Sequence, residues 1–415
     1  MTGTAGGDPD IGPALAPFAG GGIGLAVSGG SDSVALLHLA ADWARMNGAP
    51  LAVVTVDHGL RAAAADEAAF VAAICARLGL SHDILRWDWD GRGNLQDRAR
   101  RARRELIADW ARARGIGAVA LGHTADDQAE TFVMRLARGA GVTGLAAMAA
   151  RSDHAGITWL RPLLAHGRAE LRDILTRRGQ EWCDDPSNTD PRYERVRVRQ
   201  AMAQLAPLGL EPARLAAVAG LMAGASEALA VKTADAARAL ARIDAGDVVF
   251  DRAGLLAEPA EIRHRLLTHA LRWVASAEYP PRAGAMAGLD QALRAGRSFT
   301  LHGCLVTARG GDLRISREYQ AVRHMTAGAG AIWDRRWRIL SPDNIGLQVR
   351  ALGDPGIAQL PGWRATGRPR AHLRALPALW SGNLVVASPL TGPANGVRAE
   401  LIHGPDHFVA SFISH

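Results

Sequence analysis

The stretch Leu25-Ala26-Val27-Ser28-Gly29-Gly30-Ser31-Asp32-Ser33-Val34-Ala35-Leu36-Leu37 decides how the rest of the chain is read. A short apolar run ends in a loop of small residues, and the loop opens into an amphipathic pattern. That order predicts strand, tight turn and helix. Gly29 and Gly30 permit positive φ and close approach of backbone to a ligand. Ser31, Asp32 and Ser33 can cap the helix. Consecutive N–H groups at a helix N-terminus form an anion cradle, most often for phosphate. A carboxylate at Asp32 repels such an anion unless a cation lies between them, which points to Mg2+ bridging Asp32 and phosphate oxygens. The residues alone also leave a plain capped turn open. A Walker A loop is excluded, because no Gly-Lys-Ser or Gly-Lys-Thr occurs.

Outward from this loop the pattern alternates. Leu25–Val27 reads as a strand and Ser33–Arg45 as a helix. Leu51–Val56 is a continuous apolar run, as in a parallel strand buried on both faces. It leads into Asp57-His58-Gly59-Leu60-Arg61 and a helix over Ala64–Leu78. His82–Trp89 reads as a strand, Leu95–Arg114 as an Arg-laden helix, and Val119–Gly122 as a fourth strand. A helix to about Arg138, a strand over Ile157–Leu164 and a helix over Gly167–Arg178 complete the series. This predicts an α/β fold with a doubly wound, mostly parallel sheet. Ligands in such sheets sit at the carboxyl ends of strands, where Ser28–Ser33, Asp57–Arg61 and Gly122–Asp127 fall. Residues 1–22, rich in Gly, Ala and Pro, read as a flexible leader, and 23–205 as the domain that carries this sheet and its ligand clusters. The Ala- and Leu-rich pattern of 212–330 reads as a helical domain ending in a β-hairpin around Gly310-Gly311. Short strands between turns over 332–415, including Trp337–Leu340, Leu347–Leu352, Leu384–Ala387 and Phe408–Phe412, read as a small β-rich domain.

The chain has 415 residues and a net charge of +7, which suggests an anionic partner, nucleic acid first. Lys232 is its only lysine, so an Arg-rich genome composition accounts for the surplus equally well, and phosphate contacts must come from Arg or backbone amides. Cys75, Cys183 and Cys304 are scattered and form no Cys-x-x-Cys. No disulfide framework, zinc site or iron–sulfur site is expected, and a reducing compartment fits. No signal peptide and no apolar run of the ~18 residues a membrane span needs are read, so a cytoplasmic protein without membrane contact is expected.

Gly122-His123 followed by Asp126 and Asp127 reads either as a second wall of a nucleotide site or as helix capping with a structural histidine. Asp57-His58-Gly59 reads as a site or a turn. Arg98, Arg100, Arg101, Arg103 and Arg104 cover most of a helix circumference, so not all can face one ligand. Arg195, Arg197 and Arg199 alternate with Val196 and Val198, as in a basic edge that tracks phosphates or a solvated strand. Arg364, Arg368, Arg370 and Arg374 beside Trp363 read as phosphate and base-stacking contacts or as solvated side chains.

Together these stretches resemble the tRNA(Ile)-lysidine synthetase family of the PP-loop ATP-pyrophosphatase superfamily. Ser28–Ser33 is similar to its pyrophosphate loop, and Asp57–Arg61 to its His-Gly-Leu-Arg segment. Asn94–Arg103 is similar to its Asn–Ala-Arg–Arg helix, and Gly122-His123 with Asp126–Thr131 to its Gly-His-His-x-x-Asp-Asp-Gln-x-Glu-Thr. Arg138–Gly141, Gly144-Leu145, Arg161–Leu164 and Asp185–Asn188 match further motifs in order, over about residues 23–200. Thr124, Arg104 and Val196 depart from the pattern, which usually has His, Tyr and Asn there.

The resemblance implies that ATP adenylates C2 of the wobble cytidine in the CAU anticodon of tRNA(Ile). Free lysine then displaces AMP to form lysidine. It implies ATP contacts from Ser28, Gly29, Gly30, Ser31, Asp32, Ser33 and Gly122, with Mg2+ on Asp32. Asp32, His123 and Asp127 are then catalytic. Asp126, Asp127, Arg100, Arg103, Arg138, Arg195 and Arg199 would bind lysine or tRNA, and a homodimer is left open. The alternatives are a thiolating PP-loop tRNA enzyme, for which the cysteines lack the spacing, and a non-catalytic RNA-binding protein with a vestigial loop.

Overall fold

The computed structural model describes residues 7–57, 59, 63–87, 95–184, 190, 192, 194–342 and 346–413. Strand β1 (Ile23–Ala26) is buried along its length and pairs in parallel with β2 (Leu51–Asp57) on one side and β4 (Ala118–Leu121) on the other. With β3 (Ser81–Arg86), β5 (Arg151–His154) and β6 (Ile157–Leu160), the order is β3-β2-β1-β4-β6-β5. Every neighbour is parallel except β5, an antiparallel edge that sequence periodicity did not reveal.

Helices cover both faces because the strands are apolar on both. Leu36 of α1 (Ser31–Asn47), Val71 of α2 (Ala63–Leu78) and Leu171 of a later helix, Arg168–Arg177, share one buried cluster. Ile107 and Ala111 of α3 (Leu95–Ala113) pack with Trp159 on the opposite face. Chain order reverses between β1 and β4, so the crevice a doubly wound sheet offers a ligand opens there. Helix α4 (Ala125–Ala137) follows β4, and α5 is Arg168–Arg177. Residues 194–205 depart from expectation. The Arg-Val alternation belongs to a helix, α6 (Glu194–Leu205), with Val196 and Met202 buried. The leader also departs in its described part. Gly12–Leu15 is a helical turn, and Ile11 and Leu15 lie in the sheet's core.

The chain divides into two compact units, residues 1–226 and 227–414. Helix α7 (Pro212–Leu240) places Leu215 and Ala219 in a core of the first and Ala236 and Ala237 in a core of the second. Among the described residues it is the one helix long and apolar enough to cross a membrane, with a mean hydropathy of 1.4 over its most apolar window. It runs without a break through Ser226-Glu227.

The second unit is not purely helical before its hairpin. Helices α8 (Ala260–Ala275) and α9 (Ala283–Arg294) join a five-stranded sheet. Its order is β7-β8-β11-β10-β9, from β7 (Ala241–Asp244), β8 (Asp247–Asp251), β9 (Phe299–Leu301), β10 (Cys304–Arg309) and β11 (Asp312–Arg317). The β10–β11 hairpin turns at Gly310-Gly311 as expected. Two small antiparallel sheets follow within 326–401. The expected strand at Phe408–Phe412 is a helix, Pro405–Ala410, and Phe408 shares a buried cluster with Ile262 and Leu267. Segments 212–330 and 332–415 therefore share a core.

The basic stretch of this unit is engaged by its own carboxylates. Arg368 reaches Asp244 at 2.5 and 3.0 Å, Arg370 and Arg374 both pair with Asp354, and Arg364 lies over the Trp363 ring at 4.6 Å. Against burial, Arg368 and Arg314 hold the Asp244 carboxyl down to about 2.

Candidate functional site

The loop after β1 folds as its composition demands. Gly29 has φ +90°, a value that strains any side chain. Gly30 precedes α1, and no side chain caps that helix end. Its first-turn N–H groups are the orphans a phosphate can satisfy. The loop braces itself with Ser33, whose hydroxyl donates to the Gly30 carbonyl at 2.9 Å and accepts from the Ser28 amide at 3.2 Å.

The loop after β4 packs directly on this turn. A Cβ at Gly122 would lie 2.9 Å from the Asp32 carbonyl oxygen, so only glycine allows the approach. Thr124, fully buried, caps α4 in a reciprocal box with Asp127. Thr124 thus has a structural task at a position that departs from the family pattern. His123 lines the cavity, and its Nδ1 has no hydrogen-bond partner among the described residues. Burial pushes its pKa down to about 4; Asp127 opposes this and Arg161, Arg195 and Arg103 add to it, so the imidazole is neutral at pH 7.

Asp32 was expected to meet a metal. In the structure its Oδ2 accepts from Arg168 Nε at 2.9 Å, while Oδ1 accepts from the Ser31 hydroxyl at 3.0 Å. Burial raises the Asp32 pKa, with Arg168 opposing. Arg168 also approaches Asp127 Oδ1, at 3.7 Å. Asp126 points elsewhere. Its Oδ2 accepts from the Arg168 backbone N–H at 2.7 Å, so it holds the start of α5, which has no cap of its own at Gly167.

A cavity of about 840 Å³ joins these parts. Ser28, Gly30–Ser33 and Gly122 line it together with Arg103, Arg195 and Arg199, and His123 and Asp127 are also in its wall. Arg195 and Arg199 share one face of α6 because that segment is helical. Arg199 pairs at 2.8 Å with Glu130, a buried carboxylate inside the motif yet not singled out from sequence. Arg138 is not brought to the cavity; it is exposed and pairs with Glu194 at 2.6 Å. Gly29 and Asp126 support the wall without lining it. The Arg100 side chain, His58, Leu60, Arg61, Asn94 and Asp185–Asn188 lie outside the described part. The described Gly59 takes the turn alternative, donating its amide to Asp57 Oδ1 at 2.8 Å. Sequence reading missed Arg168 and Arg172, which enter from α5, and the pairing of Arg104 with Trp159 at 5.5 Å.

Residues 10–206 match the PP-loop domain family. Over 394 residues the chain is 52% identical to a tRNA(Ile)-lysidine synthase of Ruegeria pomeroyi, covering 95% of this chain and 94% of that one. The chain belongs to the tRNA(Ile)-lysidine synthase family. A tRNA(Ile)-lysidine synthase of Rhodopseudomonas palustris is 44% identical over 279 residues, 65% of this chain and 80% of that one. A solved U34-tRNA thiolase of Methanococcus maripaludis is 16% identical, with a TM-score of 0.43 over 51% of this chain and 76% of that one. In this member of the lysidine synthase family, Val196 lies buried in the cavity wall.

Proposed function

We propose that this chain ligates lysine onto C2 of the wobble cytidine of tRNA(Ile) with a CAU anticodon, through an adenylated tRNA intermediate, releasing AMP and pyrophosphate. The observation that carries this reading is one cavity lined both by the loop at the start of α1 and by several arginines. The uncapped N-terminus of α1 suits the β,γ-phosphates of ATP. Arg103, Arg195 and Arg199 suit the tRNA backbone or the lysine carboxylate.

The residues present fit Mg2+. Among the described residues no group of three or more His, Cys, Asp or Glu could form a metal cage. Asp32 and Asp127 each keep one oxygen that neighbouring hydroxyls and amides do not use. Mg2+ is usually held by one or two carboxylates with substrate phosphates and water, so Asp32 and Asp127 would hold it there. Bound there, the ion supplies charge neutralisation for the pyrophosphate leaving group. The protein's part is to hold the phosphates on backbone N–H groups, keep His123 neutral as a hydrogen-bond partner, and keep the reacting groups in contact. No side-chain nucleophile is required, and a cytoplasmic setting suits the substrates. Incubation with ATP, labelled lysine and total tRNA, followed by digestion to nucleosides, tests the reading. Label in a modified cytidine is expected, and label absent from every nucleoside overturns it.

A further inference from the structure

We propose that the Arg168 guanidinium and a divalent cation compete for the same two carboxylates, Asp32 and Asp127. Binding of a metal–nucleotide then transfers Arg168 from the carboxylates to the phosphates. The inference rests on the metal reading above and assigns a role to a residue that reading leaves unused.

Each of the two carboxylates has one oxygen already committed to its own helix start. Asp127 Oδ2 accepts from the amide and hydroxyl of Thr124 at 3.0 and 3.2 Å, as part of the α4 cap. Only Oδ1 faces a cation, and Arg168 Nη2 stands 3.7 Å from it. Asp32 Oδ1 accepts from the Ser31 hydroxyl at 3.0 Å, which leaves Oδ2, and Arg168 Nε sits on that at 2.9 Å. One guanidinium thus hydrogen-bonds the outward oxygen of Asp32 and stands in ion-pair range of the outward oxygen of Asp127. A metal ion that ligates either oxygen must displace it, because two cations at contact distance of one carboxylate repel strongly in a half-buried site.

The displaced group has a short way to go. The Arg168 backbone is pinned by Asp126 Oδ2 at 2.7 Å, so only the side chain moves. It springs from the first residue of α5, beside the uncapped start of α1 where phosphates would sit. A guanidinium is the side chain best matched to phosphate oxygens. Arg172, one turn along α5, provides a control. It also lines the cavity, but it donates to the Ser31 hydroxyl at 3.3 Å and pairs with Asp184 at 3.2 Å.

The test is Mn2+ titration of the full chain, reading free Mn2+ by electron paramagnetic resonance, with and without a non-hydrolysable ATP analogue. Arg168→Gln is expected to bind Mn2+ alone about tenfold more tightly than the parent and the Mn2+–analogue pair about tenfold more weakly. A merely structural role would move both affinities the same way. Arg172→Gln is expected to leave Mn2+ affinity within about twofold. Arg168→Lys, which keeps the charge but cannot span both carboxylates, is expected to show a smaller gain and serves if the glutamine variant does not fold. An unchanged or weaker Mn2+ affinity in the Arg168 variants, or an equal gain in Arg172→Gln, overturns the competition. If Asp32→Asn binds Mn2+ and its analogue complex as the parent does, the metal reading itself falls and takes this inference with it.

Discussion

Asp127 Oδ2 accepts hydrogen bonds from both the amide and the hydroxyl of Thr124, and this leaves Oδ1 as the oxygen that meets Arg168. One carboxylate therefore anchors a helix with one oxygen and serves the cavity with the other. The two tasks are separable by substitution. Asp127→Asn keeps an acceptor for Thr124 and loses the charge, so it should stay within about 0.5 kcal/mol of the parent in stability while lysidine formation falls at least about 100-fold. Asp127→Ala should lose about 1 kcal/mol as well, through the missing cap. Urea unfolding and the nucleoside assay measured on the same preparations separate the two.

Asp32→Asn should abolish adenylation and leave the fold intact, since its amide oxygen can still accept from Arg168 and its NH2 can donate to the Ser31 hydroxyl. Loss of a carboxylate that holds a metal at a phosphate costs several kcal/mol of transition-state stabilisation. AMP release at a near-normal rate from a folded variant would sink the metal role.

Arg368→Ala should act on stability rather than on tRNA. Its contacts with Asp244, and a 2.7 Å bond to the Leu390 carbonyl, predict a loss of about 1.5–3 kcal/mol. The salt slope of tRNA binding should not change. A slope flatter by about 0.7–0.9 would make Arg368 a phosphate contact after all.

His269 gives the second unit a built-in sensitivity to acid. Burial depresses its pKa to about 4, against a hydrogen bond to the Phe408 carbonyl at 3.0 Å. The unfolded chain takes up this proton near pH 6.5 and the folded chain only near pH 4. Stability from this group is full above about 6.5 and drains away as pH falls to about 4, by on the order of 3 kcal/mol. Urea midpoints at pH 7 and pH 4.5 should differ less in His269→Gln than in the parent; an equal difference in both would show that His269 titrates normally.

Cys183→Ser should retain lysidine formation. Cys183 lines the cavity, but burial raises its pKa, so it stays a protonated thiol. Cys75 and Cys304 are buried in separate cores. Loss of modification in a folded Cys183→Ser protein would bring thiolation chemistry back.

The nucleotide-binding half was legible because its signals are local. Buried strands such as Leu51–Asp57 are runs of apolar residues, and helix starts carry small polar residues. Local reading failed where two periods overlap. Arg195, Arg197 and Arg199 alternate like a strand, yet Val196, Arg199 and Met202 are spaced three apart, as α6 requires. It failed again at β7 and β8, two short strands joined by Ala245-Gly246, both with positive φ, and set among helix-forming residues. Arg168 was invisible for another reason. Its partner Asp32 lies 136 residues earlier in the chain, and no spacing rule reaches so far.

The composition of the cavity wall has a consequence for chemoselectivity. Among the described residues seven arginines line it and no lysine does. Guanidinium groups stay protonated and do not act as nucleophiles at neutral pH, whereas a nearby lysine amine would. An activated cytidine formed in such a chamber meets no lysine amine among the described residues of its wall. The lone Lys232 of the chain belongs to α7, which contributes nothing to that wall. The one amine the reaction consumes must then arrive from solution, and the enzyme is protected from labelling itself.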